Sequence, residues 1–326
     1  MPMEAYTRLN LLGAGTFGKV YRATVNATGE TVAIKKLHSR GERDGDREGM
    51  ELSTLREIML LAEMKHEHVI DLMEVFSHNG SVHMVLEICA TDLEEVIKDA
   101  KKYVLDAARI KGYMLGTLRG LAWCHKSWVL HRDLKPANLF LTPGGVVKLG
   151  DFGLARFYGS PDRKYTGQVV TRWYRPPELL FGAKFYGAAV DMWSVGCIFA
   201  ELMLRVPFFH GKSDIEQLSR IFTARGTPTE ETWPGVSALP DYLAFEAQPG
   251  TPLRDVFTAA TPQALGLLEA MLTLNPGERI TAQAALEHPY FASDPPAAPF
   301  ADLAPPPPPP SSASDAASKN NEPAAS

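Results

Sequence analysis

The first third of the chain has the hydrophobic pattern of several strands and one helix. Runs of β-branched and aliphatic residues predict strands at 31–37 and 82–87. Between them, apolar residues recur at the i, i+3, i+4, i+7 spacing of an amphipathic helix. The residues that we expect on its buried face are Leu55, Ile58, Met59 and Ala62.

From about Thr91 onward the pattern becomes mainly helical. Apolar residues at helical spacing predict one amphipathic helix. These residues are Ile110, Met114, Leu118 and Leu121. The segment 190–204 is apolar on nearly every side, which predicts a buried helix. Two short aliphatic runs, 139–141 and 146–149, flank a Pro-Gly-Gly turn and predict a hairpin.

Beyond residue 292 the composition shifts to Ala, Pro and Ser, with a run of prolines at 305–310. Such a segment buries too little apolar surface to fold, so we expect 293–326 to be disordered and locally polyproline II. Two interpretations of this tail stay open, an inert linker and a ligand for an SH3, WW or profilin-type partner.

The composition of the 326 residues narrows the class of protein. With 45% hydrophobic residues and a net charge of −5, the chain can bury a large core and has no global attraction to nucleic acid or acidic membranes. Its cysteines, Cys89, Cys124 and Cys197, are too scattered for a disulfide framework and indicate a reducing compartment. With no signal segment and no membrane-spanning stretch, we expect a soluble intracellular protein.

Four motifs that serve phosphoryl transfer follow one another along the chain. They are Gly13-x-Gly15-x-x-Gly18-x-Val20, Val32-Ala33-Ile34-Lys35, His131-Arg132-Asp133 with Asn138, and Asp151-Phe152-Gly153. Glycines let a backbone lie close over phosphates, and a lysine supplies positive charge for them. A glycine turn alone is weak evidence, and a lysine at a strand end is often merely solvated. All four in this order indicate transfer of phosphate from ATP.

On these motifs the chain resembles a eukaryotic protein kinase from about Tyr6 to about Ala292. The resemblance implies an α+β, bilobal fold with a small β-rich N-lobe at 1–89 that carries one key helix. The larger, mostly helical C-lobe follows at 90–292. The resemblance also implies ATP and Mg²⁺ as cofactors. The groups that an inactive pseudokinase usually lacks are all present, which favours an active enzyme over a scaffold.

The resemblance assigns a nucleotide site. Val20 is expected to cover the adenine, Lys35 to contact the phosphates and the hinge backbone at 87–89 to bind adenine, with Leu86 shaping the pocket behind. The full set is Leu12, Gly13, Gly15, Gly18, Val20, Ala33, Lys35, Glu57, Leu86, Glu87, Cys89, Asn138 and Asp151. Glu57 is expected to orient Lys35, although Thr54-x-x-Glu57 also fits a helix-capping box. Cys89 is interpreted as a small hinge residue, with a redox switch as the alternative.

The catalytic set implied by the resemblance is Asp133, Lys135 and Thr171. Asp133 is expected to accept the substrate hydroxyl proton, Lys135 to hold the transferring phosphate as in Ser/Thr kinases, and Thr171 to bridge the two. Asn138 and Asp151 offer hard oxygen ligands for Mg²⁺.

Two buried supports are expected around this set. Asp191 is predicted to hold the backbone of the turn at 131–133, and Glu178 with Arg279 to form the ion pair that fixes the substrate loop. Pro176 stands where the family has alanine, so the loop geometry there stays open.

Phosphorylation of Thr166 is expected to order the loop at 157–171. In the family's active form three arginines converge on this phosphate, and the matching residues are Arg56, Arg132 and Arg156. Ser160, which precedes Pro161, is a second candidate phosphosite, with an ordinary surface turn as the alternative.

The segments 53–58 and 169–175 resemble the cyclin-contacting helix and the proline-selecting substrate loop of cyclin-dependent kinases. Longer stretches, among them 90–94, 159–163 and 226–230, resemble the CDK-activating kinases, the cyclin H-dependent kinases of transcription factor IIH, in their plant and algal form. At the glycine loop Phe17 lacks the hydroxyl through which cell-cycle members are silenced.

This resemblance implies a kinase that phosphorylates other cyclin-dependent kinases and the RNA polymerase II C-terminal domain. The implied partners are a cyclin of the H type and an assembly factor, without direct contact to nucleic acid or membrane. A nuclear location is expected, with the cytoplasm as a second site. The alternatives are a cell-cycle kinase that acts directly on division substrates and a pseudokinase scaffold.

Overall fold

The computed structural model describes residues 3–15, 18–37, 52–158 and 172–306. Its N-terminal part is a five-stranded antiparallel sheet with the strand order β1-β2-β3-β5-β4 and one long helix, α1. The bounds of these elements are Tyr6–Gly15 (β1), Gly18–Val25 (β2), Thr31–Leu37 (β3), Leu52–Glu63 (α1), Leu72–His78 (β4) and Ser81–Glu87 (β5).

The remainder is mostly helical and carries two small sheets, β6-β8-β9 and β10-β7. Its strands are Thr91–Asp92 (β6), Val129–Leu130 (β7), Leu139–Leu141 (β8), Val147–Leu149 (β9) and Arg156–Phe157 (β10). Its helices are Leu93–Lys98 (α2), Ala107–Lys126 (α3), Pro177–Leu180 (α4), Ala189–Leu204 (α5), Asp214–Arg225 (α6), Leu253–Val256 (α7), Pro262–Met271 (α8) and Ala282–Leu286 (α9). The expected bilobal α+β fold is confirmed.

Side chains of the polar residues that precede several helices fix where those helices begin. Asp92, Asp106 and Ser213 accept hydrogen bonds from backbone N–H groups in the first turns of α2, α3 and α6. These caps satisfy amides that the helix itself leaves unpaired. Thr261 and Thr281 do the same for α8 and α9.

The strands predicted at 31–37 and 82–87, the helix through Ile110 and Leu121, the buried helix at 190–204 and the hairpin are all present. Helix α5 is buried along most of its length, as its uniform apolarity requires. Among the described residues, no helix has the length and apolarity needed to cross a bilayer.

The predicted buried face of α1 is wrong. Leu55 and Met59 are 41% and 59% exposed, Ile58 is half-buried and Ala62 is exposed. The helix instead turns Glu57, Leu60 and Leu61 inward. The inward positions have a helical spacing of their own, so α1 carries two apolar stripes, one of them buried and the other exposing Leu55 and Met59.

The predicted start of the disordered tail at 293 is also wrong, because the packed chain continues to Ala304. Ala298 N donates to Ala108 O at 2.9 Å, and a short 3-10 helix at Phe300–Leu303 buries Leu303 against α3. Gly145 accommodates this segment, since it has φ +81° and a Cβ there would lie 1.8 Å from Phe300 O. The predictions for residues 307–326 lie outside the described part.

Candidate functional site

A cleft of about 860 Å³ lies between the sheet and the helical part. Twelve of the thirteen predicted cofactor residues line it: Leu12, Gly13, Gly18, Val20, Ala33, Lys35, Glu57, Leu86, Glu87, Cys89, Asn138 and Asp151. Gly15, the thirteenth, ends β1 and pairs with Gly18 of β2. Asp133 and Lys135 line the floor of the same cleft.

Lys35 joins the two halves of the cleft. Its Nζ lies 2.8 Å from Glu57 Oε1 and 3.3 Å from Asp151 Oδ1. Burial alone would lower the pKa of the ammonium, but Glu57 and Asp151 outweigh it and raise the pKa above its usual value. Lys35 is therefore a fixed positive charge rather than a solvated lysine, and it engages the Glu57 carboxylate.

Asp133 is held in place by its neighbours in the loop between β7 and β8. Its Oδ2 accepts hydrogen bonds from Lys135 Nζ at 2.8 Å and from Asn138 Nδ2 at 3.1 Å. Asn138 Nδ2 also donates to Asp133 O at 2.8 Å. A buried carboxylate beside a lysine, at the floor of a cleft, has the geometry of a proton acceptor next to a phosphate-binding cation.

Asp191, at the start of α5, holds the backbone of this loop as predicted. Its carboxylate accepts from His131 N at 3.0 Å and Arg132 N at 2.8 Å. Its Oδ2 also lies 2.9 Å from His125 Nε2. Burial opposes ionisation of Asp191, but His125 and the backbone amide bonds lower its pKa below the ordinary value. The loop is therefore anchored to α5, a helix that is buried along most of its length.

The donor atoms of Asn138 and Asp151 fit a hard cation. Asn138 Nδ2 donates its hydrogen bonds to Asp133, so the Oδ1 atom of Asn138 faces the opposite side. Asp151 follows β9 with a left-handed backbone, φ +59° and ψ +64°, and its carboxylate lines the cleft. Carboxylate and amide oxygens are the ligands that Mg²⁺ prefers. Among the described residues, no group of three or more His, Cys, Asp or Glu side chains forms an all-protein metal site.

Four large apolar residues of the cleft were not predicted, namely Leu61, Ile70, Phe140 and Leu154. Leu61 comes from the inward stripe of α1, and Ile70 precedes β4. Phe140 lies in β8, two residues after Asn138. The sequence signal for it was its position in a strand that directly follows a catalytic motif.

Cys89 is interpreted above as a hinge residue, and the environment of its thiol is consistent with this. Burial and the nearby Glu87 raise the pKa of the Cys89 thiol to about 12. Burial likewise raises the pKa of the Cys124 and Cys197 thiols. Because alkylation proceeds through the thiolate, the raised pKa values predict slow alkylation near neutral pH.

We therefore expect iodoacetamide to label the native chain at pH 8 at least about a hundredfold more slowly than it labels free cysteine. Labelling of all three thiols should become fast once the chain is unfolded in urea. Mass spectrometry of timed samples measures both rates. Stoichiometric modification of Cys89 in the native chain within minutes would refute this assignment.

The substrate loop after residue 171 is fixed from several sides. Tyr174 OH donates to Glu201 Oε2 at 2.8 Å, and Ser194 Oγ donates to Tyr174 O at 2.9 Å. Arg279 makes a two-pronged ion pair with Glu178, at 2.7 and 2.9 Å, as predicted. Pro176 has φ −71°, the value that a proline ring imposes, so the replacement of alanine leaves the backbone unstrained.

The predicted phosphate clamp is described only in part. Arg132 Nε donates to Leu154 O at 2.9 Å and Arg132 Nη1 to Tyr186 OH at 2.8 Å. Arg156 lies in β10, and Arg56 lies on α1 with its side chain undescribed. Thr166, Ser160, Thr171 and Phe17 lie outside the described residues, so their roles stay predictions.

Comparison with known proteins agrees with this geometry. Residues 6–291 match the family described as protein kinase domain. The chain is 53% identical over 296 residues to cyclin-dependent kinase 7 of Xenopus laevis. This match covers 91% of this chain and 84% of the relative. It is 51% identical over 292 residues to cyclin-dependent kinase D-1 of Arabidopsis thaliana, covering 90% and 72%.

A solved structure matches as well. One chain of the CAK complex from Chaetomium thermophilum, bound to ATP-gamma-S, superposes with a TM-score of 0.86 at 42% sequence identity. The match covers 92% of this chain and 94% of that chain.

Proposed function

Because this chain belongs to the protein kinase family, as a cyclin-dependent serine/threonine kinase, we propose that it acts as a CDK-activating kinase. It would use ATP with Mg²⁺, associate with a cyclin of the H type and an assembly factor, and phosphorylate other cyclin-dependent kinases and the RNA polymerase II C-terminal domain. Its expected location is the nucleus. The observation that carries the proposal is the convergence of Lys35, Glu57, Asp133 and Asp151 on one cleft.

The residues of the cleft have different roles in phosphate transfer. Lys35 and its carboxylate partners place a fixed positive charge at the phosphate end. Asp133 accepts the proton of the substrate hydroxyl as its oxygen bonds to the γ-phosphorus of ATP, while the bond from that phosphorus to the departing ADP oxygen breaks. Lys135 balances the charge on the transferred group. Asn138 and Asp151 would hold Mg²⁺, which when bound neutralises charge on the phosphates.

The exposed stripe of α1 supports the cyclin part of the proposal. Leu55 and Met59 lie on the outer face of α1, while Met73 and Val75 are exposed on β4, the neighbouring edge strand of the sheet. Exposed apolar side chains on neighbouring elements are typical of a protein interface. Glu57 lies on the opposite face of the same helix, so a partner bound outside would hold Glu57 against Lys35 inside.

Replacement Met59→Glu should weaken cyclin H binding and lower cyclin-stimulated activity by about 10- to 100-fold, because it places a charge in an apolar contact. ATP binding by the isolated chain should not change. Calorimetric titration of the cyclin and a kinase assay on heptad-repeat peptide measure the two effects. Leu243→Glu, an exposed apolar position in the helical part, is the matched control. An equal loss of cyclin binding in both variants, or no loss in either, would contradict the assignment of this surface to the cyclin.

A further inference from the structure

An ion pair outside the known catalytic motifs lies between the two halves of the cleft. Lys148 Nζ is 2.8 Å from Glu87 Oε1, and the two side chains are only 12% and 23% exposed. Lys148 is the central residue of β9, and Glu87 is the last residue of β5, where the sheet passes into the hinge. The pair therefore connects the N-terminal sheet to a strand of the helical part.

Glu87 is fixed on the sheet side by its backbone and its carboxylate. Its Oε1 also accepts a hydrogen bond from Asp71 N at 2.7 Å, and Glu87 N donates to Asp71 O at 3.1 Å. Glu87 and its neighbours up to Asp92 line the cleft. The Glu87 carboxylate thus holds the first residue of the hinge, whose backbone is expected to bind adenine, against Asp71 and Lys148.

Lys148 is fixed on the other side by a strand that leads to Asp151. It pairs with Phe140 in β8, and Leu149 joins the segment before β4 through two backbone bonds, Leu149 N to His68 O at 2.9 Å and Ile70 N to Leu149 O at 2.8 Å. Gly150 N then donates to Asn138 O at 3.0 Å. Lys148 is therefore rigidly connected to both predicted Mg²⁺ ligands.

We propose that Lys148 and Glu87 are positioning residues that fix the adenine end of the cleft relative to its phosphate end. A nucleotide must contact the hinge and the region of Asp151 at once, so binding is tightest when their separation is set beforehand. The inference rests on the proposed use of ATP in this cleft. The alternative is a purely structural role, in which the pair only stabilises the β8–β9 hairpin.

The positioning role and the structural role predict different results for Lys148→Met. If the pair positions the nucleotide, the Kd of the full chain for Mg·ADP should rise about 5- to 20-fold, since one charge of a mostly buried pair loses its partner. In the cyclin-bound kinase, the KM for ATP should rise similarly, while the KM for peptide and the kcat at saturating ATP stay within about threefold. Lys148→Arg should restore most of the affinity.

The cycle formed by Glu87→Gln, Lys148→Met and the double variant tests the pair directly. The double variant should bind Mg·ADP no more weakly than Lys148→Met alone, because the two side chains act together. Lys98→Met is the matched control, since it removes an exposed i,i+4 pair with Glu94 on α2 and should leave the Kd unchanged. Glu87→Gln keeps an acceptor for Asp71 N, and should raise the Kd about threefold even if Lys148→Met does not fold.

Several outcomes would overturn the proposal. A Kd within twofold of wild type for Lys148→Met, strict additivity in the cycle, or lower thermal stability with unchanged nucleotide affinity would each leave only the hairpin role. Binding of Mg·ADP needs neither the cyclin nor a protein substrate. Absence of phosphate transfer by the wild-type complex would therefore refute the proposed function without deciding this inference.

Discussion

Replacement Asp133→Asn should lower kcat by about 10²- to 10⁴-fold. An amide cannot accept the proton of the substrate hydroxyl, whereas the shape of the side chain and its contact with Lys135 change little. The affinity for Mg·ATP should stay near that of the wild type, because Asp133 contributes no side chain to the expected adenine or metal contacts. Transfer of ³²P to peptide and equilibrium binding of nucleotide measure the two quantities.

The matched control for this prediction is Asp255→Asn, which makes the same chemical change at an exposed position in α7. Its kcat should equal that of the wild type. If Asp133→Asn retained more than a tenth of the wild-type kcat, the assignment of Asp133 as the proton acceptor would be wrong.

Replacement Arg279→Leu should lower the free energy of unfolding by about 3–5 kcal/mol, because it leaves the buried Glu178 carboxylate without its cation. Arg279 has no exposed side-chain area and donates to Ala189 O, Thr273 O and Leu274 O as well as to Glu178. The replacement therefore also removes three hydrogen bonds to backbone carbonyl oxygens. Urea denaturation followed by circular dichroism measures the change.

The double variant Glu178→Leu/Arg279→Leu should be less destabilised than Arg279→Leu, since it leaves no unpaired charge. Arg254→Leu, which removes a solvent-exposed arginine, should cost less than about 1 kcal/mol. A loss below about 1 kcal/mol for Arg279→Leu would show that the pair contributes little to fixing the substrate loop.

The arrangement of the cleft bears on the alternative of a pseudokinase scaffold. Lys35 forms its ion pairs with Glu57 and Asp151, and Asp133 is held beside Lys135 in the same cleft. A chain that had lost catalysis would have no need to retain these charges together, since buried ion pairs contribute little net stability. The geometry thus favours an active enzyme.

Much of the site was predictable because its residues lie in short motifs whose order fixes their roles. Lys35 lies within β3, Asp133 and Asn138 lie in the loop between β7 and β8, and Asp151 follows β9. The motifs therefore place these side chains beside strands that border one cleft. The hairpin around the Pro-Gly-Gly turn was predictable from local turn chemistry.

The rest depends on contacts between distant segments. Helix α1 has two apolar stripes, and periodicity alone does not distinguish the buried one from the exposed one. The segment 293–304 has a composition typical of disorder, yet Leu303 and the backbone around Phe300 fit against Gly112 and Gly145. The Glu87–Lys148 pair joins residues far apart in sequence, and neither lies at a position that a motif specifies for charge.

The most direct test of the account is a phosphate-transfer assay of the purified chain with and without a cyclin of the H type. The substrates are heptad-repeat peptide from the RNA polymerase II C-terminal domain and an unphosphorylated cell-cycle kinase. We predict cyclin-dependent transfer to both substrates. Transfer to neither in the presence of the cyclin, by a chain that still binds Mg·ATP, would contradict the proposed function.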